Sequence, residues 1–179
     1  MSHSRVWLFD LDNTLHDASA QIFPHINRSM RQYIERHLAL GEAEATRLRQ
    51  HYWQRYGATL LGMVRHHGTD PAHFLWHTHQ FEHLRPLVRF EKPLGTMLRR
   101  LPGRKLVFSN APHHYTQAIL EILGIEHLFD SVWTIEQLGY QPKPMPQAFC
   151  RLLKGERLSP AQCVFVEDSP ANLQAAKRI

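Results

Sequence analysis

Four short segments of the chain are apolar at nearly every position and rich in β-forming residues: 6–9, 105–108, 131–135 and 163–166. Strands that are apolar throughout, instead of alternating, are buried on both faces, which is the pattern of a parallel sheet. Helical patterns separate the later segments, at 112–123 before Gly124 and at 146–153 after a proline-rich loop. The alternation of strand and helix predicts an α/β fold with a doubly wound parallel sheet.

The stretch that follows the first apolar segment has helical periodicity and no convincing strand. Apolar residues recur at helical spacing from Ile26 to Leu38, and glycines divide the remainder into further helices. We therefore predict a helical insertion at residues 17–89. It splits the α/β domain into residues 1–16 and 90–179.

Polar residues able to do chemistry stand where three of the apolar segments end. In an open parallel sheet, ligands bind outside the carboxyl ends of the strands, so we expect these side chains to converge. Several carboxylates in one place repel one another unless a cation lies among them, and oxygen ligands suit Mg²⁺. A lysine and a hydroxyl would supply the donors that a phosphate dianion requires. The residues at the segment ends are Asp10, Asp12, Ser109, Asn110, Glu167 and Asp168, and the lysine is Lys143, on the loop before a helix.

These residues stand in four motifs that together resemble one family. In this order along the chain, the set resembles the haloacid dehalogenase-like hydrolase superfamily, and it is most similar to the pyrimidine 5′-nucleotidase-type branch. The resemblance spans nearly the whole chain and implies a Rossmann-like core with the insertion as a helical cap. The motifs are Asp10-Leu11-Asp12-Asn13-Thr14, Phe108-Ser109-Asn110, Lys143-Pro144 and Val166-Glu167-Asp168-Ser169-Pro170-Ala171-Asn172.

The resemblance implies a Mg²⁺-dependent phosphatase that acts on small phosphorylated metabolites, with pyrimidine nucleoside 5′-monophosphates as the leading substrates. Asp10 would be the nucleophile that forms an aspartyl-phosphate. Asp12 would protonate the leaving alkoxide and then take a proton from the hydrolytic water. The resemblance assigns the metal to Asp10, Asp168 and the backbone carbonyl of Asp12, and the phosphoryl oxygens to Ser109, Asn110 and Lys143. Supporting roles fall to Thr14, which would order the loop, and to Glu167 or Asn172, one of which would orient a metal-bound water.

Asp12 favours phosphoryl transfer over dehalogenation. Dehalogenating members of the superfamily lack an acid at this position, because a halide leaves without being protonated. Two alternative functions remain. A phosphomutase uses the same two carboxylates as a phosphatase. A binding module with a catalytically idle core is compatible with the net charge of +5, from 21 Lys and Arg against 16 Asp and Glu. Against nucleic acid as the partner, the chain carries no recognised nucleic-acid motif, and its acidic strand ends would repel a phosphate backbone.

The remaining features point to a soluble cytoplasmic protein. Two cysteines, Cys150 and Cys163, make no disulfide framework, and we expect both to be reduced thiols packed among apolar residues. No stretch approaches the ~20 apolar residues of a membrane helix. The chain stops at Ile179, inside the helix predicted to begin at Pro170, whereas similar proteins continue into another strand; we expect this to leave one side of the last strand exposed.

Overall fold

A computed structural model describes residues 5–179 and confirms the predicted α/β fold. Its sheet has four parallel strands in the spatial order β3-β2-β1-β4. Because the chain runs from β1 outward to β3 and then returns to the other side of β1, the strand order reverses between β1 and β4, where open sheets bind ligands. The strands are β1 (Val6–Phe9), β2 (Arg104–Phe108), β3 (Ser131–Trp133) and β4 (Cys163–Val166).

The chain divides into two compact units. The first comprises the residues up to Ser19 together with Arg85–Ile179, and the second, Ala20–Leu84, is helical. Glycines with positive φ end two of its helices, Gly57 at 79° and Gly68 at 61°, since this left-handed conformation suits a residue without Cβ. Asp17 and Arg89, the predicted limits of the insertion, lie in the first unit, where their backbones form an antiparallel bridge. The helices are α1 (Ile22–Leu38), α2 (Glu42–Tyr56), α3 (Thr59–His67) and α4 (Pro71–Thr78).

Tyrosine hydroxyls connect the histidine-rich helices of this insertion. Each of three tyrosines forms a hydrogen bond of 2.6–2.8 Å with a ring nitrogen of a histidine. A buried or half-buried tyrosine needs such a partner for its hydroxyl, so these histidines have a packing role. The pairs are Tyr33 with His73, Tyr52 with His67, and Tyr56 with His66.

Among its described residues, the first unit contains four further α-helices. α6 begins at His113, one residue after the predicted start, and Pro112 occupies the position just before its first turn. α7 runs three residues beyond the predicted 153, because Glu156 near its end accepts hydrogen bonds from Trp133 and Ser131. The four are α5 (Leu94–Arg100), α6 (His113–Leu123), α7 (Pro146–Glu156) and α8 (Pro170–Ala176).

β3 also differs from the prediction, since it ends at Trp133 and not at residue 135. The Thr134 amide donates to Gln137 Oε1 at 3.0 Å, which turns the chain out of the sheet. Ser169 occupies the position before α8, but its side chain makes no capping hydrogen bond; its amide donates to Glu167 Oε1 instead.

One core of the first unit lies between the sheet and α7. Leu8, Leu106 and Phe108 of the strands pack against Phe149 and Leu152 of α7. Because this helix turns those residues inward, Cys150 is exposed, and the prediction of a packed thiol is wrong at that position; Cys163 is half-buried. Within residues 5–179, no helix combines the length and the apolar character needed to span a membrane.

Candidate active site

The predicted chemistry-bearing residues come together at the carboxyl ends of three neighbouring strands. Asp10 follows β1, Ser109 follows β2, and Glu167 and Asp168 follow β4. Backbone hydrogen bonds continue the ladder past the strands: the Asp10 amide donates to Val166 O at 3.0 Å, and the Ser109 amide donates to Trp133 O at 2.9 Å. The sheet therefore fixes the backbone that carries these side chains.

Lys143 is the buried centre of this group, with 2% of its surface exposed. Its Nζ donates to Asp10 Oδ1 at 2.7 Å, to Glu167 Oε2 at 2.8 Å and to Phe108 O at 2.6 Å. The ammonium also lies 4.8 Å from the ring centre of Phe108 and 5.2 Å from that of Phe165. An ammonium can be buried only with such partners, so the charge of Lys143 is committed to the carboxylates beside it.

Asn110 holds the loop that carries this lysine. Its Nδ2 donates to Lys143 O at 2.9 Å, and its Oδ1 accepts from the Lys143 amide at 2.8 Å. The peptide bond between Lys143 and Pro144 is cis. Both polar groups of the Asn110 side chain therefore bind backbone, which assigns it a positioning role; its contact with phosphate stays a prediction.

Ser109 is placed as the resemblance implies, buried at the end of β2. Its Oγ accepts a hydrogen bond from the Ala111 amide at 3.0 Å. Since the oxygen is the acceptor in this contact, the hydroxyl proton stays available to a ligand.

Three carboxylates form the acidic part of the site. Oxygen atoms of Asp10, Glu167 and Asp168 all lie within 4.8 Å of one another. Burial, together with the charges of Glu167 and Asp12, raises the pKa of Asp10 to about 7 against the opposing effect of Lys143. Burial and the neighbouring Glu167 also raise the pKa of Asp168.

Glu167 differs from its two neighbours in its partners. Burial alone would raise its pKa, but the charge and hydrogen bond of Lys143 lower it below the usual range. Its Oε2 also accepts from Asn172 Nδ2 at 2.9 Å, and its Oε1 accepts from the Ser169 amide at 3.1 Å. Glu167 is therefore the carboxylate that the protein itself neutralises, with Asn172 as the residue that orients it.

The donor set fits a hard divalent cation. Among residues 5–179, Lys143 is the ammonium that bonds to two of these carboxylates, Asp10 and Glu167. Burial chiefly raises the pKa of Asp10, and the charges of Glu167 and Asp12 add to that effect. Carboxylate oxygens at this spacing are the ligands that Mg²⁺ prefers. Asp10 and Asp168, with the backbone carbonyl of Asp12, are the groups that would hold it.

The carboxyl of Asp12 is bound by two residues that the sequence patterns do not assign. Tyr115 donates its hydroxyl to Asp12 Oδ1 at 2.6 Å, and His16 Nε2 lies 2.9 Å from the same oxygen. The spacing of Asp12 and His16, four residues apart, is a local signal that could have indicated their contact. Tyr115 is 103 residues from Asp12, and no local pattern connects the two.

Asn13 orders the loop after β1, where the resemblance points to Thr14. Asn13 adopts a positive φ of 61°, and its Oδ1 accepts hydrogen bonds from the amides of Ala18 and Ser19. Asparagine suits this position because it tolerates the left-handed conformation and its amide oxygen binds nearby backbone. Thr14 Oγ1 is buried, and within residues 5–179 it makes no hydrogen bond.

Comparison with known proteins agrees with the fold. A family model described as haloacid dehalogenase-like hydrolase matches residues 5–179. The chain therefore belongs to the haloacid dehalogenase-like hydrolases.

Two related proteins match nearly the whole chain. The chain is 28% identical over 189 residues to Phosphate metabolism protein 8 of Saccharomyces cerevisiae, a match that covers 96% of this chain and 58% of the yeast protein. It is 26% identical over 192 residues to the phosphoglycolate phosphatase of Colwellia psychrerythraea, with 99% of this chain and 81% of that enzyme covered.

Solved structures show the same fold at low sequence identity. The phosphatase of this superfamily from Thermococcus onnurineus matches with a TM-score of 0.63 at 20% identity, over 98% of this chain and 82% of that one. The L-2-haloacid dehalogenase of Xanthobacter autotrophicus matches with a TM-score of 0.57 at 18% identity, over 97% and 74% of the two chains. Phosphatases and dehalogenases thus share this architecture, and the chemistry has to be argued from the site.

Proposed function

We propose that this chain is a Mg²⁺-dependent phosphatase that hydrolyses small phosphomonoesters through an aspartyl-phosphate. The observation that carries the proposal is the convergence of Asp10, Lys143, Glu167 and Asp168, which come from three distant parts of the chain. The presence of a named phosphatase among its relatives supports the same reaction class.

Asp10 and Asp12 have different tasks: Asp10 is the nucleophile, and Asp12 transfers the proton in both halves of the reaction. An oxygen of Asp10 forms a bond to phosphorus while the bond from phosphorus to the ester oxygen breaks. Asp12 gives its proton to that departing oxygen. Asp12 then accepts a proton from the water that attacks the phosphoaspartate, which releases inorganic phosphate and restores Asp10.

The other residues hold the anionic groups in place. Lys143 fixes Asp10 through Oδ1 and brings positive charge to the site, and the Ser109 hydroxyl can donate to a phosphoryl oxygen. When bound by Asp10, Asp12 and Asp168, Mg²⁺ would supply positive charge that favours the ionised carboxylates and the phosphate dianion.

The motifs favour pyrimidine nucleoside 5′-monophosphates as substrates, and the relative from Colwellia adds phosphoglycolate to the candidates. That the insertion Ala20–Leu84 acts as a cap that selects among them stays a prediction. A panel of purified esters that contains both classes would rank them by kcat/KM.

The proposal is tested by measuring release of inorganic phosphate from this panel with Mg²⁺ or with EDTA. We expect turnover with Mg²⁺, loss of turnover in EDTA, and at least a ~100-fold loss in Asp10→Asn. Asp70→Asn is the matched control, because Asp70 precedes α4 in the insertion and asparagine preserves its cap. Turnover that is independent of metal, or unchanged in Asp10→Asn, would refute the proposal.

The intermediate is tested separately. After an acid quench during turnover, borohydride reduces an aspartyl-phosphate to homoserine, which mass spectrometry of the peptide that contains Asp10 detects. We expect the product at Asp10 and not at Asp12. Turnover without any modified aspartate would leave a phosphatase that transfers the phosphoryl group directly to water.

A further inference from the structure

We propose that Tyr115 and His16 position Asp12 for its role as the acid, by binding Oδ1 and leaving Oδ2 to the leaving group. This inference rests on the proposed function, because Asp12 is an acid only if an ester oxygen departs beside it. Tyr115 and His16 touch Asp12 and are therefore positioning residues.

The contacts are short, buried and directed at one atom. Tyr115 is 1% exposed, the His16 side chain is fully buried, and the Asp12 side chain is 17% exposed. Within residues 5–179, the hydrogen bonds to the Asp12 carboxyl both use Oδ1, at 2.6 Å from Tyr115 and 2.9 Å from His16. The carboxyl cannot rotate without losing both of them, so Oδ2 is the oxygen that stays available.

The two partners come from independent parts of the first unit. His16 follows Asp12 by four residues in the same loop, and Tyr115 lies in the first turn of α6. His16 Nδ1 is buried and has no hydrogen-bond partner among the described residues, so the ring makes its hydrogen bond to Asp12 alone. Holding one oxygen from two directions restricts the carboxyl more than either contact could by itself.

This positioning matters most where the leaving group needs a proton. An alkyl phosphate releases an alkoxide that must be protonated as the bond breaks, whereas 4-nitrophenyl phosphate releases a stable phenolate. A misplaced Asp12 should therefore slow the alkyl ester more than the aryl ester. The constant kcat/KM reports this step, because it covers the reaction only up to departure of the alcohol and not the later hydrolysis of the intermediate.

The experiment measures kcat/KM with Mg²⁺ for glycerol 1-phosphate and 4-nitrophenyl phosphate in four variants and the unmodified protein. For Tyr115→Phe and His16→Ala we expect a loss of about tenfold on the alkyl ester and of about twofold or less on the aryl ester. His16→Gln retains an N–H donor and should recover part of the loss. Tyr33→Phe is the matched control, since it removes a tyrosine hydroxyl that bonds to a histidine in the insertion.

The results separate this inference from the proposed function. The positioning role would be overturned by equal losses of kcat/KM on both esters. It would also be overturned if one of the two variants, Tyr115→Phe or His16→Ala, lost no activity. Both outcomes would leave the proposed phosphatase function standing. An unmodified protein that hydrolyses neither these esters nor the wider panel would overturn the proposed function and this inference with it. Thermal unfolding of each variant shows whether a loss of activity reflects a loss of folded protein. The ratio of the two kcat/KM values does not depend on the fraction that is folded.

Discussion

At the scale of single residues, Lys143 connects the stability of the site to its chemistry. Its ammonium is buried against two carboxylates, Asp10 and Glu167, and a backbone carbonyl. Removing the ammonium would leave the charge of two buried carboxylates uncompensated, which costs more than the intact group contributes. Burial of this kind places the catalytic carboxylate accurately and makes the site sensitive to substitution.

Lys143→Met should lower the free energy of unfolding in EDTA at neutral pH by about 3–5 kcal/mol, because the side chain keeps its volume but loses its charge. Chemical denaturation measures the change. Lys92→Met is the control, since Lys92 is exposed in a loop and its replacement should change the stability by less than about 0.5 kcal/mol. Similar values for the two variants would contradict the role given to the buried ammonium.

Asp10 makes the stability of the metal-free protein depend on pH. Its pKa is raised from 3.8 to about 7, chiefly by burial, so the folded state binds a proton that the unfolded state releases. The stability from this group is complete below pH 3.8 and is lost as the pH rises through about 7. Ionised Asp10 therefore destabilises the folded protein when no cation is bound.

Asp10→Asn should consequently stabilise the protein by about 1–3 kcal/mol in EDTA at pH 8, because asparagine stays neutral. The gain should shrink as the pH falls towards 4 and should also shrink when Mg²⁺ stabilises the unmodified protein. Thermal unfolding over this pH range, with and without Mg²⁺, makes the comparison. A variant that is less stable than the unmodified protein at pH 8 in EDTA would contradict this account.

At the scale of secondary structure elements, α7 packs against β3 through a glycine. A Cβ added at Gly155 would lie 2.3 Å from Trp133 Cη2, closer than carbon atoms can approach. Trp133 Nε1 donates to Glu156 Oε1 at 2.7 Å, which restrains the indole ring. The contact between helix and strand therefore requires the smallest residue.

Gly155→Ala should destabilise the protein by about 1–3 kcal/mol through this overlap, although alanine favours helices by about 0.5–1 kcal/mol. Gly95→Ala in α5 is the matched control. Its added Cβ would meet its neighbours at 3.7 Å, an ordinary contact distance, so the change should be neutral or stabilising. Urea unfolding of both variants gives the two free energies, and a stabilising Gly155→Ala would show that the indole can move.

At the scale of the whole molecule, the chain contains two compact units with separate cores. The unit Ala20–Leu84 buries its own apolar residues, among them Ile34, Met63 and Phe74. The other unit buries the strands and the helices around the sheet. A packing defect in one core should therefore first affect that unit.

Gly62→Ala tests this separation. An added Cβ would lie 2.1 Å from Tyr52 Cγ, where α3 crosses α2. We expect amides of α2 and α3 to lose protection from hydrogen exchange by about tenfold or more, while amides of β1 and β2 keep theirs. Gly41→Ser is the control, because its side chain would enter open space before α2. An equal loss of protection in both units would show that they unfold as one.

Much of the fold and part of the site follow from local patterns. The strands at Val6–Phe9 and Cys163–Val166 have the predicted limits, because uninterrupted apolar runs between polar residues mark them. The motif residues follow these strands, so the rule that ligands bind at the carboxyl ends of parallel strands was enough to predict that Asp10 and Asp168 lie close together. The predicted helix ends were less accurate where a distant residue fixes the real end, as Trp133 does through its hydrogen bond to Glu156 in α7.

Local patterns were enough for the alternation of strand and helix, the family and the residues that carry charge at the strand ends, because these depend on neighbours close along the chain. The tertiary structure alone decided which partners those residues have. It directs Lys143 to Asp10 and Glu167, uses Asn110 to hold the lysine loop, and brings Tyr115 to Asp12. Such contacts join residues many positions apart, and their geometry depends on how helices and strands pack, which no local pattern records.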